Sequence, residues 1–292
     1  VRADFDIINL NQNLILDEGS SFIHRNAIGG FFSICISMTI AFLAVLNSNK
    51  KYKKYLLIFI FFLTSGLILT NSRGAIISLV FSTIYIFYSV NRRFLKYFIL
   101  SILIILPVIF IDNVSELINL YLRLEQISTG RDYIMQTVSN IISNNPIVGA
   151  GPAATKYEIY NYLPYMFGTP EEFFLSRHIN SIGFGQAHNF YLFLYTDLGI
   201  LGLLVSLLIP YTFFKLSHRL IKEVKGKNNF LYSLLVGIQA AGIALFIRGV
   251  FEWAGIFSYG TITLDLPFWW LFTIIGFLYL KIIIDKQTIP SF

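Results

Sequence analysis

Charged residues and cysteines are scarce in this sequence of 292 residues. Only 13% of the residues are charged and 55% are hydrophobic, whereas about a quarter of the residues in a soluble domain carry charge. The mean hydropathy is +0.67. A single cysteine, Cys35, excludes a disulfide framework and any metal site built from several cysteines. This composition predicts an integral membrane protein.

Motifs for metals and nucleotides are also missing. No cluster of His, Cys and carboxylate residues has the spacing of metal ligands, and no Gly-x-Ser-x-Gly elbow occurs. The pair Gly149 and Gly151 is too short for a dinucleotide fingerprint and follows no predicted strand, so it indicates a turn. These absences disfavour reactions that depend on metals or nucleotides. We therefore expect neither a cofactor nor a metal.

Apolar runs separated by polar segments predict an all-α, polytopic transmembrane helix bundle. A run of ~20 apolar residues is long enough to cross a bilayer. The chain enters at Val1 within a polar segment and shows no signal peptide, so we expect further spans to precede it. The predicted segments are an outer loop (1–26), four transmembrane helices (27–111, spans at 27–46, 55–70, 75–90 and 97–111), a large, mainly helical outer loop (112–187), three transmembrane helices (188–284, spans at 190–214, 230–251 and 267–284) and a tail (285–292).

The distribution of Lys and Arg predicts the orientation. Segments 47–54, 91–96, 215–229 and 281–292 hold 14 of the 22 basic residues but only two of the 16 acidic ones. Short cytoplasmic loops are enriched in Lys and Arg, so we expect this face and the C-terminus in the cytoplasm, and the large loop outside. The pI near 9.2 then reflects attraction to anionic lipids, and no nucleic-acid partner is expected.

The large loop is the part of the chain with enough polar residues for a water-borne substrate. Apolar residues at helical spacing predict helices over about 114–127 and 131–143, and Pro146 follows the second one. Turn residues then occupy 144–152. We expect a compact cap on the membrane surface rather than a separate domain.

Three arginines lie at positions where a functional role has to be weighed against a purely structural one. Arg73 lies where two spans meet, and it either serves a site or snorkels to the interface. Arg131 opens the second loop helix, and its spacing alone favours an ordinary solvated residue over a site residue. Arg248 lies near the outer end of a span, where it most simply pairs with Glu252 one turn later.

His188 is the candidate general base. It opens the fifth span beside Asn189, at the outer interface, and an imidazole can take up a proton near neutral pH. A lone histidine is more often structural, but this one shares a membrane face with several arginines. Because arginines make bidentate contacts with phosphate, the set fits a lipid-linked phosphate or diphosphate substrate.

Several short motifs follow one another around the large loop. They are Arg25-Asn26-Ala-Ile-Gly, Ser72-Arg73-Gly74, Gly130-Arg131-Asp-Tyr-Ile, Asn145-Pro146-Ile-Val-Gly149-Ala-Gly151, Ala187-His188-Asn189-Phe-Tyr-Leu and Asp197-Leu-Gly199-Ile-Leu-Gly202. In their order and topology, the chain resembles the O-antigen ligase and O-antigen polymerase superfamily of the bacterial inner membrane. One departure is that Tyr133 and Ile134 stand where the family often has Trp.

The resemblance implies a metal-independent, inverting glycosyltransferase. It would move a glycan from undecaprenyl diphosphate to an acceptor hydroxyl, with Arg73 and Arg131 on the diphosphate and His188 as the base. The implied partners are the lipid-linked glycan, an acceptor glycan or lipid A-core, membrane lipids and a chain-length regulator. Further residues expected to contact phosphate or sugar are Arg25, Arg123, Arg177, Asn189 and Arg248.

Two alternatives stay open. An O-antigen ligase would move finished polymer onto lipid A-core, whereas a polymerase joins repeat units; the Phe- and Ile-rich composition leans towards the polymerase. A transporter or flippase would also need arginines that face a lipid-linked phosphate. That class calls for charges deep within several spans, and here the polar residues crowd one face, which favours an enzyme.

Overall fold

The structure, a computed structural model, describes residues 25–46, 50–105, 131–152, 154–155, 187–252, 255–256 and 262–284. Within these ranges every regular element is helical, which confirms the all-α prediction. A π-helical turn, Leu280–Ile284, follows the last α-helix directly. The α-helices are α1 (Arg25–Val45), α2 (Lys50–Leu69), α3 (Arg73–Val90), α4 (Arg92–Ile105), α5 (Arg131–Asn144), α6 (Phe190–Val224), α7 (Asn229–Arg248) and α8 (Ile262–Tyr279).

Six of the described helices are long and apolar enough to cross a membrane: α1, α2, α3, α6, α7 and α8. They correspond to six of the seven predicted spans. The remaining span was predicted over 97–111, and only its first part, in α4, falls within the described residues. The chain is therefore a polytopic helix bundle, as its composition predicts.

Helix α7 forms the centre of the bundle. In its most apolar window 78% of the residues are buried, against 6% in α2 at the periphery. It packs against α1, α3, α6 and α8. Small residues allow this close approach: a Cβ on Gly242 would lie 2.1 Å from the Phe213 ring of α6. Such small-residue contacts drive helix association in lipid, where apolar burial alone gives little preference.

Helix α6 continues beyond the predicted end of the fifth span. The apolar run ends near Phe214, and the sequence predicted a basic turn after it, but the helix extends to Val224. Leu220, Ile221 and Val224 are buried while Lys222 and Arg219 are exposed. The basic segment is thus an amphipathic continuation of the helix, because one face still packs on the bundle.

The helix predicted over 131–143 is confirmed as α5. Its apolar stripe, Ile134, Val138 and Ile141, is buried in the same core cluster as Phe190 of α6. The first predicted loop helix, over 114–127, lies outside the described residues. α5 therefore fixes one part of the outer loop firmly against the membrane bundle.

The bundle has two ends of different character. At the site end, the starts of α1, α3 and α6 meet the end of α7 around His188 and Glu252. At the basic end, Tyr232 of α7 donates to the carbonyl of Ser89 in α3, and Arg219 donates to the Tyr279 hydroxyl at 2.7 Å. These contacts place alternate helix ends on opposite faces, as an antiparallel bundle requires.

Candidate functional site

His188 faces a buried carboxylate at the site end. Its Nδ1 lies 3.7 Å from Glu252 Oε2, and the two side chains are 23% and 4% exposed. Nδ1 is buried and makes no hydrogen bond within the described part of the chain. The residue has a φ of +44°, a left-handed conformation that is uncommon outside glycine. The sharp turn before α6 aims the imidazole at the end of α7.

The next residue, Asn189, fixes this turn. Its side-chain oxygen accepts from the amides of Tyr191 and Leu192 at 2.9 and 3.0 Å, which caps α6. Its Nδ2 donates to the carbonyl of Val250 at 3.0 Å, and the amide of Phe190 donates to Gly249 at 2.7 Å. The start of α6 is thereby locked to the end of α7, so the position of His188 relative to Glu252 is set by backbone.

Glu252 belongs to a buried network that draws on three helices. Asn26 of α1 donates from Nδ2 to Glu252 Oε1. Arg248, only 3% exposed, donates from Nη1 to the Asn26 carbonyl at 2.7 Å and interacts electrostatically with Glu252 and Asp265. Asp265, at the start of α8, accepts from the amide of Gly255 at 3.1 Å. One buried cation is thus compensated by two nearby carboxylates, as buried charges need.

Two glycines in α1 make room for this network. A Cβ on Gly30 would lie 2.5 Å from Arg248 Nη1, and a Cβ on Gly29 would lie 2.7 Å from the Ser72 side chain. Any larger residue at either position would push against the guanidinium or against the turn before α3. The Gly-Gly pair therefore lets three chain segments converge at the site end.

Arg73 begins α3 at this same end. Its neighbours place it there: Ser72 packs on Gly29 of α1, and a Cβ on Gly74 would lie 3.1 Å from Phe251, next to Glu252. Asn71, with φ +51°, makes the tight turn between α2 and α3 that the sequence predicts. The Arg73 side chain is half-buried. A guanidinium at the positive end of a helix dipole gives this corner a local preference for anions.

The structure brings together some of the predicted site residues. His188, Asn189, Arg248 and the start of α3 at Arg73 share the site end. Arg25 is the first residue of α1 and Arg131 the first of α5, but their side chains lie outside what the structure describes. The roles predicted for Arg123 and Arg177 concern residues beyond the described ranges. Their contacts with substrate stay predictions.

The glycine-containing motifs at 145–151 and 197–202 contact each other through backbone hydrogen bonds. At Gly199, with φ +60° and ψ −148°, α6 is kinked, and the Thr196 and Asp197 carbonyls accept from Ala150 and Gly151 at 2.8 and 2.9 Å. In return Ile200 donates its amide to the carbonyl of Ile147 at 3.2 Å. The turn after α5 thus satisfies the backbone that the kink frees, as a span requires.

A buried acid strengthens this contact. Asp197 is fully buried in α6, and its Oδ1 accepts from the amide of Thr155 at 3.2 Å and from the Thr155 hydroxyl. The prediction that Gly149 and Gly151 mark turn chemistry agrees with their φ values of +76° and +108°. The motifs at 145–151 and 197–202 therefore hold the segment after α5 against α6.

Three members of the network were not predicted as site residues: Asn26, Glu252 and Asp265. Glu252 was noted only as the partner of Arg248, and Asn26 only as part of a motif. The signal that could have found the two acids is their place beside the site ends of α7 and α8, where burial is expected; no such signal marks Asn26. Among the described residues, no group of three or more His, Cys, Asp or Glu is arranged to hold a metal ion.

The fold and the site define a multi-pass helical membrane protein with a histidine over a buried ion network at one end of the bundle. The family model described as O-antigen ligase matches residues 56–207, just over half of the chain. The chain belongs to this family, and it is a membrane enzyme of the O-antigen ligase or polymerase type, which transfers glycosyl units. The match includes Arg73, Arg131 and His188, while Asn26, Arg248 and Glu252 lie beyond it. No curated protein matches the sequence.

Proposed function

We propose that the protein is a polysaccharide polymerase of the bacterial inner membrane. It transfers a glycan from undecaprenyl diphosphate to a sugar hydroxyl, with inversion and without a metal. The observation that carries the proposed transfer reaction is the His188 imidazole 3.7 Å from the Glu252 carboxylate, at the end of the bundle where α3 begins with Arg73. Because the opposite end is rich in Lys and Arg, the site end faces the periplasm.

His188 acts as the general base. Its Nδ1, held towards the Glu252 carboxylate, carries the proton, so Nε2 is left to accept one. As the acceptor oxygen attacks the anomeric carbon, Nε2 removes the hydroxyl proton, and the imidazolium that forms is stabilised by Glu252. Proton removal of this kind typically contributes 10²- to 10⁴-fold to the rate. Glu252 is a positioning residue, fixed in turn by Asn26 and Arg248.

Arg73 and Arg131 stabilise the leaving group. The bond between the anomeric carbon and the diphosphate oxygen breaks as the new glycosidic bond forms, and negative charge grows on the carrier diphosphate. A guanidinium can hold two phosphate oxygens at once, and donors placed in advance stabilise developing charge most effectively. Support comes from the start of α3, where Arg73 adds a full charge to the positive helix end. Arg25, Arg123, Arg177 and Asn189 are further candidates for contacts with phosphate or sugar, whereas the buried Arg248 acts by fixing Glu252.

The test is glycan transfer by the purified full-length protein from a polyprenyl-diphosphate glycan, with EDTA present throughout. His188→Ala should lower the rate by about 10²- to 10⁴-fold, because the acceptor then loses its base. The matched control is His218→Ala, which removes an exposed histidine at the basic end of α6 and should leave the rate unchanged.

Three results would contradict the proposal. Full activity of His188→Ala would remove the base assignment. Absence of transfer in the EDTA-containing assay, with transfer appearing once excess divalent metal is added, would exclude a metal-independent reaction. Movement of the lipid carrier across vesicle membranes without any transfer would identify a transporter.

The choice of acceptor needs a separate measurement in cells. The polymerase assignment rests on the Phe- and Ile-rich composition, with 29 Phe in the chain. A deletion strain that makes only single-repeat products would support it. Finished polymer that accumulates on the lipid carrier in that strain would instead identify an O-antigen ligase.

A further inference from the structure

Asp265 is a buried acid at the site end, and the proposed mechanism gives it no role. It lies in the first turn of α8 and is only 4% exposed. Its Oδ1 accepts from the amide of Gly255 at 3.1 Å, and Gly255 follows Glu252 by three residues. A buried carboxylate is costly unless a cation or hydrogen-bond donors compensate it. The position of Asp265 is therefore tied to the charges beside it.

The turn that follows α7 carries the Asp265 carboxylate back towards the end of that helix. A Cβ on Gly249, the residue after Arg248, would lie 2.9 Å from Cδ1 of Ile256, so this turn folds over the end of α7. The hydrogen bond from Gly255 then holds Asp265 against the same turn. As a result, the Asp265 carboxylate interacts electrostatically with the Arg248 guanidinium.

The buried network carries one negative charge in excess. Arg248, Glu252 and Asp265 are each at most 4% exposed, so water screens their charges poorly. One guanidinium is compensated by two carboxylates, and Glu252 is the carboxylate that lies 3.7 Å from His188. When His188 takes up a proton, the imidazolium therefore brings the network to neutrality. An opposite charge nearby favours the charged form of a titrating group.

We infer that Asp265 is a positioning residue for glycan transfer: it compensates Arg248 and so leaves the charge of Glu252 for the imidazolium that forms on His188. Without Asp265, the single carboxylate of Glu252 would be shared between the guanidinium and the imidazolium. Asp265 touches no reacting atom and acts only through its neighbours. The inference rests on the proposed role of His188 as the base that removes the acceptor proton.

The pH dependence of transfer by the purified full-length protein tests the inference. Asp265→Asn keeps an oxygen for the Gly255 amide but removes the charge. Because the imidazolium on His188 then loses stabilisation, the acid limb of kcat/KM should move to lower pH by about half to one pH unit, with a roughly three- to tenfold lower kcat. The KM for a polyprenyl-diphosphate glycan should not rise, since Arg73 and Arg131 remain to hold the diphosphate.

Other charged groups at this end have to be kept apart from Asp265. Among the described residues, the charged side chains of the helices that meet around His188 are Arg73 of α3, Asp197 of α6, Arg248 and Glu252 at the end of α7, and Asp265 of α8, while α1 contributes the neutral Asn26.

The matched control is Asp197→Asn. Asp197 is also buried and accepts from a backbone amide, that of Thr155, but it lies about 10 Å along α6 from the start of that helix. This variant can lower the melting temperature, yet it should move the acid limb much less than Asp265→Asn does. Equal movement in both variants would reduce the effect to a general field and contradict the inference.

A double variant separates charge from structure. Arg248→Gln, Asp265→Asn removes one charge of each sign, so Glu252 keeps the excess charge and the acid limb should return close to its native pH. An acid limb that stays at low pH, or moves further, would overturn the inference. Replacing both partners of a buried pair is often milder than removing one. The double variant therefore decides even if Asp265→Asn fails to fold in a thermal melt.

His188→Ala in the same assay separates this inference from the proposed function. Transfer at the native rate in His188→Ala would remove the base, and the role of Asp265 would fall with it. If His188→Ala is inactive while Asp265→Asn leaves the acid limb at its native pH, the base assignment holds and only the role of Asp265 is wrong.

Discussion

The two ends of the helix bundle hold their charges in opposite ways. At the site end, Arg248 and Glu252 are each 3% exposed and draw partners from several helices. At the basic end, Lys227 and Glu223 form an ion pair at 3.8 Å with side chains 61% and 49% exposed. The same residue types thus make a specific structure at one end and a solvated surface at the other. Depth in the bundle, rather than residue type, decides what a charge does here.

The largest difference between the ends is expected for their glutamates. Glu252→Ala leaves Arg248 buried with one carboxylate fewer, which typically costs about 3–5 kcal/mol. Glu223→Ala removes an exposed pair between residues one turn apart and should cost at most about 0.5 kcal/mol. Thermal melting of both variants in the same detergent measures the contrast. Similar shifts for the two variants would mean that the site-end network does not compensate its cation.

A second contrast compares two glycines with positive φ. Gly199, with φ +60°, lies against the turn after α5, and a Cβ there would be 2.1 Å from the Ile147 carbonyl. Gly199→Ala should therefore cost about 1–3 kcal/mol in backbone strain alone, and the steric clash adds to it. It should also release the turn at 145–151, which hydrogen exchange of Ala150 and Gly151 would report.

The control at the basic end is Gly226→Ala. Gly226 has a φ of +77°, but nothing lies within 4 Å of its would-be Cβ. It should show the backbone strain without the clash and leave exchange in the outer loop unchanged. Faster exchange of Ala150 in Gly226→Ala would show that the contact between the turn after α5 and α6 depends on global stability rather than on the fit at Gly199.

The smallest effect on stability is expected from a substitution that changes the space beside Arg248 rather than a charge. Gly30→Ala forces Arg248 to shift, because the new Cβ would lie 2.5 Å from Nη1. Overpacking of this kind costs about 1–3 kcal/mol. Gly276→Ala in α8, where the Cβ would meet nothing within 4 Å, should be neutral or gain up to about 1 kcal/mol. Thermal melting compares them, and a stable, fully active Gly30→Ala would show that Arg248 tolerates displacement.

Much of the architecture could be predicted because it depends on local signals. Apolar runs of spanning length predict helices whatever they pack against, and among the described residues six of the predicted spans are helices long enough to cross a membrane. The stripe Ile134, Val138 and Ile141 similarly predicts α5 and the face that it buries. The end of α6 was missed because the hydropathy signal stops where the helix becomes amphipathic.

The candidate site was harder to predict than the fold. His188 and Arg73 stood out because their chemistry is unusual beside apolar runs, and the motifs around them carried the family resemblance. Glu252 did not stand out, because an acid one turn after an arginine most simply reads as a local pair. Asn26 is 226 positions away along the chain, and no local pattern indicates such a contact.

The sequence by itself determined the class of protein, the helical spans, the uneven distribution of charge and the family. These follow from composition and from short-range patterns that hold in any tertiary arrangement. Only the tertiary structure decided that Glu252 lies beside His188 and that Arg248 is buried near the carboxylates of Glu252 and Asp265. It also decided that the two glycine motifs interlock. Such contacts depend on where α1, α6, α7 and α8 converge, and that convergence is fixed by close packing between helices rather than by any one segment.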